Sequence, residues 1–126
     1  MKNQSLLAIA TFLSISVYSQ QTRFYSDPED KFKEAKEYFQ KEQYSLAYPL
    51  FKELKQSVRE TDKANTAITV QEINYYTTVC ALKQGEGRAE SEAQEYIDIE
   101  KNTARTQMMS YHLGEYYFTQ QKFSEA

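Results

Sequence analysis

One pattern of small and aromatic residues occurs twice in this chain, and it limits the possible folds more than any other feature. A small residue, two aromatic residues and a second small residue stand at positions 35, 38, 44 and 47, and the same kinds of residue stand 79 positions later. Helices that pack closely need small residues where their backbones meet and large rings beside them. The pattern therefore predicts antiparallel helical hairpins. Its four pairs are Ala35 and Gly114, Tyr38 and Tyr117, Tyr44 and Phe123, and Ala47 and Ala126.

The first hairpin is predicted over residues 27–60. Asp27 and Pro28 are a strong helix start, since Asp caps the free N–H groups and Pro fits the first helical position. Apolar residues then recur every three or four positions, which is typical of an amphipathic helix. A turn is expected at residues 42–43, and Ser45 is predicted to cap the second helix.

A middle unit is predicted over residues 62–100. The polar stretch 57–63 is interpreted as a loop, with a cap at its Thr61 or Asp62, and a long helix is expected at about 64–84. Gly85 should end that helix, because glycine adopts the left-handed conformation readily. A helix of about a dozen residues, with an apolar face that includes Ala89, Ala93, Tyr96 and Ile97, should complete the unit.

The third unit is predicted over residues 103–126 and is incomplete. The sequence stops early in the second helix of that unit, without the polar helix that normally covers the end of a repeat array. We therefore expect an N-terminal part of a longer repeat protein, with a naturally short protein as the alternative.

Residues 1–19 are predicted to be a secretory signal peptide. Lys2 supplies a positive start, residues 6–17 are mainly apolar, and Val17-Tyr18-Ser19 offers a cleavage site. The apolar run is shorter than the roughly 20 residues of a membrane span. No cysteine follows it that could carry a lipid, although an uncleaved anchor is the alternative. Residues 20–26 are interpreted as an extended lead, and the protein is expected to be exported, most simply to the periplasm.

The hairpins resemble the tetratricopeptide repeat (TPR), whose period is about 34 residues. With the leader, the segments Asn74–Leu82 and Leu113–Phe118 resemble exported, multi-repeat TPR proteins of Bacteroidetes-type bacteria. Those proteins are similar to Tol–Pal-associated periplasmic coordinators of the cell envelope. The resemblance implies an all-α fold of antiparallel helix hairpins, stacked as a right-handed TPR-like solenoid.

Composition favours binding over catalysis. The net charge is −3 and no basic patch is present, which argues against nucleic acid as a partner. The chain has one cysteine, Cys80, in an apolar run, and one histidine, His112, so neither a thiol nucleophile with a base nor a metal site is expected. We predict no catalytic residue, no metal and no cofactor.

The resemblance to the TPR also implies a binding groove on the concave face, formed by the first helix of each unit. Aromatic anchors with lysine and glutamate between them suit a peptide or a partner helix. The alternative for the three phenylalanines is packing between units. The predicted groove residues are Glu29, Phe32, Lys36, Phe39 and Gln40 in the first unit, Tyr76, Lys83 and Gln84 in the middle unit, and Met108, Tyr111, Glu115, Phe118 and Thr119 in the third.

The favoured function is a non-enzymatic periplasmic scaffold that binds other envelope proteins or peptides and meets the membrane only through them. Two alternatives stay open. One is a self-associating structural module, in which the chain forms a homo-oligomer. The other is an accessory domain of a longer multi-repeat protein.

Overall fold

A computed structural model describes residues 27–60 and 69–122, which form five α-helices and, within those ranges, no strand. The all-α prediction is therefore confirmed for this part of the chain. The predicted signal peptide, the lead at residues 20–26 and the start of the last helix at residues 123–126 lie outside the described residues. The helices are α1 (Pro28–Gln40), α2 (Tyr44–Glu60), α3 (Val70–Gln84), α4 (Ala89–Ile99) and α5 (Thr103–Thr119).

Side-chain caps begin three of these helices. The Asp27 carboxylate accepts a hydrogen bond from the N–H of Glu29 at 3.1 Å, and Pro28 occupies the first turn, as predicted. Asn102 caps α5 in the same way, through the N–H of Arg105 at 3.1 Å. These oxygens satisfy N–H groups that have no partner inside the helix, which locates each helix start.

The predicted start and end of α2 are both wrong. Ser45 is not the cap, because α2 begins at Tyr44 and the carbonyl of Gln43 accepts the first helical hydrogen bonds. Glu42, which lies in the predicted turn, has a φ of 57° and reverses the chain. The predicted loop at 57–63 is helical over its first four residues, since polar residues also occupy the exposed faces of helices.

A helix was predicted over residues 64–84, but residue 69 is not helical and α3 begins at Val70. Thr69 has extended backbone angles, and its hydroxyl accepts a hydrogen bond from the N–H of Glu72 at 3.2 Å, so it caps α3. The alternative caps Thr61 and Asp62 fall outside the described residues. The C-terminal end is confirmed, because Gly85 follows α3 with a φ of 70°.

The same turn follows α1, α3 and α5. Each helix ends before a residue of positive φ, and the next N–H donates to a carbonyl five positions back. These bonds satisfy carbonyls that the helix leaves unpaired at its end. The turns align the three helices residue by residue, so that Phe32, Tyr75 and Tyr111 are equivalent, as are Phe39, Leu82 and Phe118. The N–H to O distances are 2.9 Å from Gln43 to Tyr38, 3.0 Å from Glu86 to Ala81, and 2.8 Å from Lys122 to Tyr117.

Two apolar cores share α3. One lies among α1, α2 and α3 and includes Phe51, Leu54 and Ile73, and the other lies among α3, α4 and α5 and includes Met109 and Leu113. Consequently α3 is buried along most of its circumference, with residues 77–82 all buried. This central helix packs mainly against α2 on one side and against α4 and α5 on the other. A few side chains of α1 also reach it, and most of the predicted groove residues lie where α3 meets α1 or α5.

Candidate interaction surface

Four predicted groove residues meet where α1 contacts α3, and we call this contact the α1–α3 seam. The ring of Tyr76 lies 5.9 Å from that of Phe32 and 4.9 Å from that of Phe39, both edge to face. The Lys36 ammonium lies 5.4 Å from the centre of the Phe32 ring and 3.8 Å from a carboxylate oxygen of Glu72. Such ring pairs and cation–ring contacts stabilise packed helices.

The α1–α3 seam leaves little aromatic surface for a ligand. Phe32 is only 8% exposed, because it also packs against Phe51 at a ring distance of 5.9 Å. Phe39 is half-buried and packs against Tyr44 and Phe51. For these two phenylalanines the structure therefore favours packing between helices, the alternative to a binding role.

A second group of predicted residues meets where α3 contacts α5, and we call this contact the α3–α5 seam. The Lys83 ammonium lies 2.9 Å from Glu115 Oε2, and the Tyr111 hydroxyl donates to Glu115 Oε1 at 3.2 Å. His112 Nδ1 lies 3.2 Å from Glu115 Oε2, and the His112 ring lies 6.4 Å from that of Tyr75. Glu115 thus joins a lysine of α3 to a histidine and a tyrosine of α5.

Burial and charge set the protonation states in the α3–α5 seam. The hydrogen bond from Lys83 lowers the pKa of Glu115, so its carboxylate is ionised at neutral pH. Burial lowers the pKa of His112, although the hydrogen bond with Glu115 opposes the shift. The neutral imidazole can donate its Nδ1 proton to the carboxylate, which makes the group a polar clamp between two helices.

Two further predicted residues, Met108 and Phe118, form an exposed stripe on α5 together with Tyr111. Met108, Tyr111 and Phe118 are 48%, 60% and 66% exposed. With Glu115 they are spaced by three, four and three residues, which places them on one face of the helix. We call this surface the α5 stripe. It lies beside the α3–α5 seam and shares Tyr111 and Glu115 with it.

The remaining predicted residues do not contribute to either seam. Glu29 and Gln40 are exposed near the two ends of α1. Gln84 donates to the carbonyls of Tyr44 and Cys80, and the Thr119 hydroxyl donates to a carbonyl of its own helix. These residues occupy the helices that were expected, but the structure does not gather them into one groove.

The turns that follow α1, α3 and α5 also show which residues the sequence prediction missed. Tyr75, rather than Tyr76, is the equivalent of Phe32 and Tyr111, and Tyr76 is the equivalent of His112. The middle unit was hard to align because Thr78 stands where the other two units have Ala35 and Gly114. Gly85 stands at the position of Glu42 and Gln121, so the turn that follows α3 aligns the middle unit with the other two.

A surface cleft of about 660 Å³ lies away from both seams, between α2 and the start of α4. Its lining combines Lys52 and Arg88 with Glu86 and Glu92, and the Lys52 ammonium lies 5.1 Å from the centre of the Tyr48 ring. Because both signs of charge are present, the cleft has no clear preference for an anion or a cation. None of the predicted groove residues lines it.

Within residues 27–60 and 69–122, no group of three or more His, Cys, Asp or Glu side chains could hold a metal ion. None of the five helices is long and apolar enough to cross a membrane. Cys80 is fully buried, and burial raises the pKa of its thiol to about 12.

Known proteins were compared with the whole chain at the level of family, sequence and structure. No protein-family model, no curated protein and no solved structure matches it.

Proposed function

We propose that this chain is a non-enzymatic scaffold that binds another protein of the cell envelope through the α5 stripe. The observation that carries the proposal is the exposure of Met108, Tyr111 and Phe118 on one helix face. Contiguous exposed apolar side chains on a soluble domain are a common mark of a protein-binding surface. The equivalent of Tyr111 on α1, Phe32, is 8% exposed, whereas Tyr111 is 60% exposed, so the third unit offers an aromatic anchor that the first does not.

The chemistry of the α5 stripe suits a peptide or a helix. Tyr111 and Phe118 supply apolar area with few rotatable bonds, and Met108 adapts its shape to a partner. Glu115 lies between them, and its bonds to Lys83, His112 and Tyr111 hold its carboxylate in place beside the anchors. Tyrosine is enriched among the residues that contribute most to binding at protein interfaces.

The architecture and location that we propose rest on separate observations. The shared helix-end turn and the side-by-side contacts of α1 with α3 and of α3 with α5 support a TPR-like, right-handed solenoid. Residues 1–19 support export to the periplasm. The buried thiol of Cys80 and the engagement of His112 with Glu115 support a binding role without catalysis.

Affinity capture from envelope extract tests the proposal. The bait is the full chain, compared with a Tyr111→Glu/Phe118→Glu variant. A Leu46→Glu/Ile99→Glu variant is the matched control, because Leu46 and Ile99 are also exposed apolar residues, on α2 and α4. Circular dichroism on all three checks that the fold is retained. We avoid substitution of Phe39, since it packs within the α1–α3 seam.

We expect a protein that the wild type and the control capture and the α5 variant loses. Capture of the same protein by all three baits would contradict the role of the α5 stripe. Recovery of the bait alone would instead favour the self-associating module.

A further inference from the structure

The cleft between α2 and the start of α4 gathers charged side chains that do not pair with one another. Elsewhere within residues 27–60 and 69–122, ion pairs bridge α1 and α2, α1 and α3, and α3 and α5. The cleft is lined by the cations Lys52, Lys55 and Arg88 and by the carboxylates Glu86 and Glu92. None of these five side chains forms an ion pair with a described residue. The cleft therefore presents unpaired charge of both signs.

Two of these unpaired charges are partly withdrawn from solvent. Lys55 and Glu92 are half-buried, and neither side chain forms a hydrogen bond with another described residue. A charged group that loses hydration without gaining a partner raises the free energy of the folded state. Each of the two groups would therefore be stabilised by a ligand group of opposite charge.

The cleft has the size and the floor of a small-ligand site. Its volume of about 660 Å³ falls within the usual range of such sites, roughly 300–1,000 Å³. Thr77 of α3 and Ala89 of α4 are buried beneath it, and the ring of Tyr48 is half-buried at its side. The Thr77 hydroxyl donates to the carbonyl of Ile73 at 2.7 Å, so its oxygen can still accept a hydrogen bond from a ligand N–H.

The carboxylates lie towards one end of the cleft. Burial raises the pKa of the Tyr48 hydroxyl, and the carboxylates of Glu86 and Glu92 raise it further, so both lie near Tyr48. The Lys52 ammonium lies 5.1 Å from the centre of the Tyr48 ring. Lys55 follows Tyr48 by seven residues on α2, which places it roughly 10 Å further along the helix axis at about 1.5 Å per residue. The cleft therefore runs from a carboxylate pair to a lysine.

We propose that this cleft binds a short zwitterionic peptide of about three residues in extended form. The ammonium group of the peptide lies beside Tyr48, between Glu86 and Glu92. Its carboxylate lies beside Lys52 and Lys55. An extended chain spans about 3.3–3.6 Å per residue, so three residues match the separation of roughly 10 Å. A ligand with both charges pairs both signs of the cleft at once, which a simple anion or a simple cation does not.

This site is separate from the proposed protein-binding surface. The cleft is formed by α2, α3, α4 and the turn before α4, whereas the α5 stripe lies on α5. The inference therefore goes beyond the proposed function, and either can fail while the other holds.

Titration of the ¹⁵N-labelled full chain with three forms of one peptide tests the inference. The probes are trialanine, N-acetyl-trialanine, which lacks the ammonium group, and trialanine amide, which lacks the carboxylate. The backbone NMR signals of Thr77, Gly87 and Ala89 report on the cleft. We expect trialanine to shift these signals saturably below about 10 mM. Each blocked form should bind about tenfold more weakly, because one charge-assisted hydrogen bond is lost.

Two double substitutions locate the ends of the peptide. Lys52→Gln/Lys55→Gln should bind trialanine and trialanine amide equally, because the carboxylate has lost its partners. Glu86→Gln/Glu92→Gln should bind trialanine and N-acetyl-trialanine equally, because the ammonium group has lost its partners. Each variant should keep its preference at the unaltered end, which a general loss of structure would not produce.

Lys33→Gln/Glu37→Gln is the matched control, because it removes one exposed charge of each sign from α1 and should bind all three probes like the wild type. Absence of saturable shifts with trialanine would overturn the inference, as would equal binding of the three probes to the wild type. Shifts confined to residues outside the cleft, or folded double variants with wild-type preferences, would overturn it too. The comparison of probes on the wild type decides the question if a substituted chain does not fold.

Discussion

Glu42 and Gln121, 79 residues apart, have the same left-handed backbone conformation, with φ of 57° and 59°. Each follows a helix, and the N–H after each donates to a carbonyl five residues back. Neither is a glycine, so each side chain tolerates a conformation that costs roughly 1–2 kcal/mol. The repeat seen in the sequence is therefore also a repeat of backbone geometry, and Gly85 takes the same role in the middle unit.

Replacement of Gly85 by Ala should destabilise the protein by about 1 kcal/mol. No atom lies within 4 Å of the added methyl group, so the cost comes from the positive φ of 70°, less the lower entropy of the unfolded chain. Gly87→Ala is the matched control, because its surroundings are equally open and its φ is not positive. Urea unfolding should find the control within about 0.5 kcal/mol of the wild type. Equal losses in both variants would contradict the role of the turn.

Equivalent positions of α1 and α5 should differ sharply in their effect on stability. Phe32→Ala removes a ring that packs against Phe51 and Tyr76, so we expect a loss of about 3 kcal/mol. Tyr111→Ala removes a mostly exposed ring and its hydrogen bond to Glu115, so the loss should stay below about 1 kcal/mol. Urea denaturation of both variants is the measurement, and a large loss for Tyr111→Ala would show that the α5 stripe is already packed.

Acid should weaken the end of α4 through Glu100. Its side chain is 4% exposed and accepts hydrogen bonds from Arg105 Nε at 3.0 Å, the Tyr96 hydroxyl at 2.7 Å and the Asn102 N–H at 2.8 Å. The bond from Arg105, helped by the other two donors, lowers the pKa of Glu100 to about 2. Because the folded pKa is lower than the unfolded one, this stabilisation is complete above about pH 5 and is lost as the pH falls towards 2.

The variant Glu100→Gln should remove that pH dependence and cost about 1–3 kcal/mol at pH 7. Thermal unfolding between pH 2 and 7 is the measurement. Glu95→Gln, at an exposed position of α4, is the control and should change stability by less than about 0.5 kcal/mol. An unaltered acid dependence in Glu100→Gln would contradict the assignment.

The imidazole of His112 should titrate below the ordinary histidine range. Burial lowers its pKa, and the hydrogen bond with Glu115 partly offsets the shift. Because the native state holds the neutral form, stability from this residue is present above about pH 6.5 and declines below it. His112 is the single histidine of the chain, so its NMR signal is unambiguous. Glu115→Gln should lower the pKa further, and a rise would contradict the hydrogen bond.

The features of the fold that depend on neighbouring residues could be predicted from the sequence. Asp27 and Pro28 begin α1 and Gly85 ends α3, because capping and left-handed backbone involve only the adjacent turn. The end of α2 was missed, since Ser57 and its polar neighbours suit a loop and a solvated helix face equally well. Thr78 concealed the alignment of the middle unit, because threonine is neither small enough nor aromatic enough to mark it.

Burial of the candidate site could not be predicted in the same way. Phe32 and Tyr111 occupy equivalent positions in equivalent helices, yet one is packed and the other is exposed. What covers a ring depends on the next helix, which local pattern does not describe. The clamp of Lys83 and His112 on Glu115 likewise requires α3 and α5 to pack together, although the three-residue spacing of His112 and Glu115 was visible in the sequence.

Because Cys80 is buried, the reactivity of its thiol can be used to measure local unfolding of the core around it. The thiol is fully buried in the core among α1, α2 and α3, and its pKa of about 12 leaves almost no reactive thiolate while that core stays closed. A disulfide reagent can therefore modify it only in molecules whose first hairpin has separated from α3. The modification rate at fixed pH measures the frequency of that separation. Cys80 belongs to the core among α1, α2 and α3, whereas the α5 stripe lies outside that core, so the rate can be measured with a partner bound.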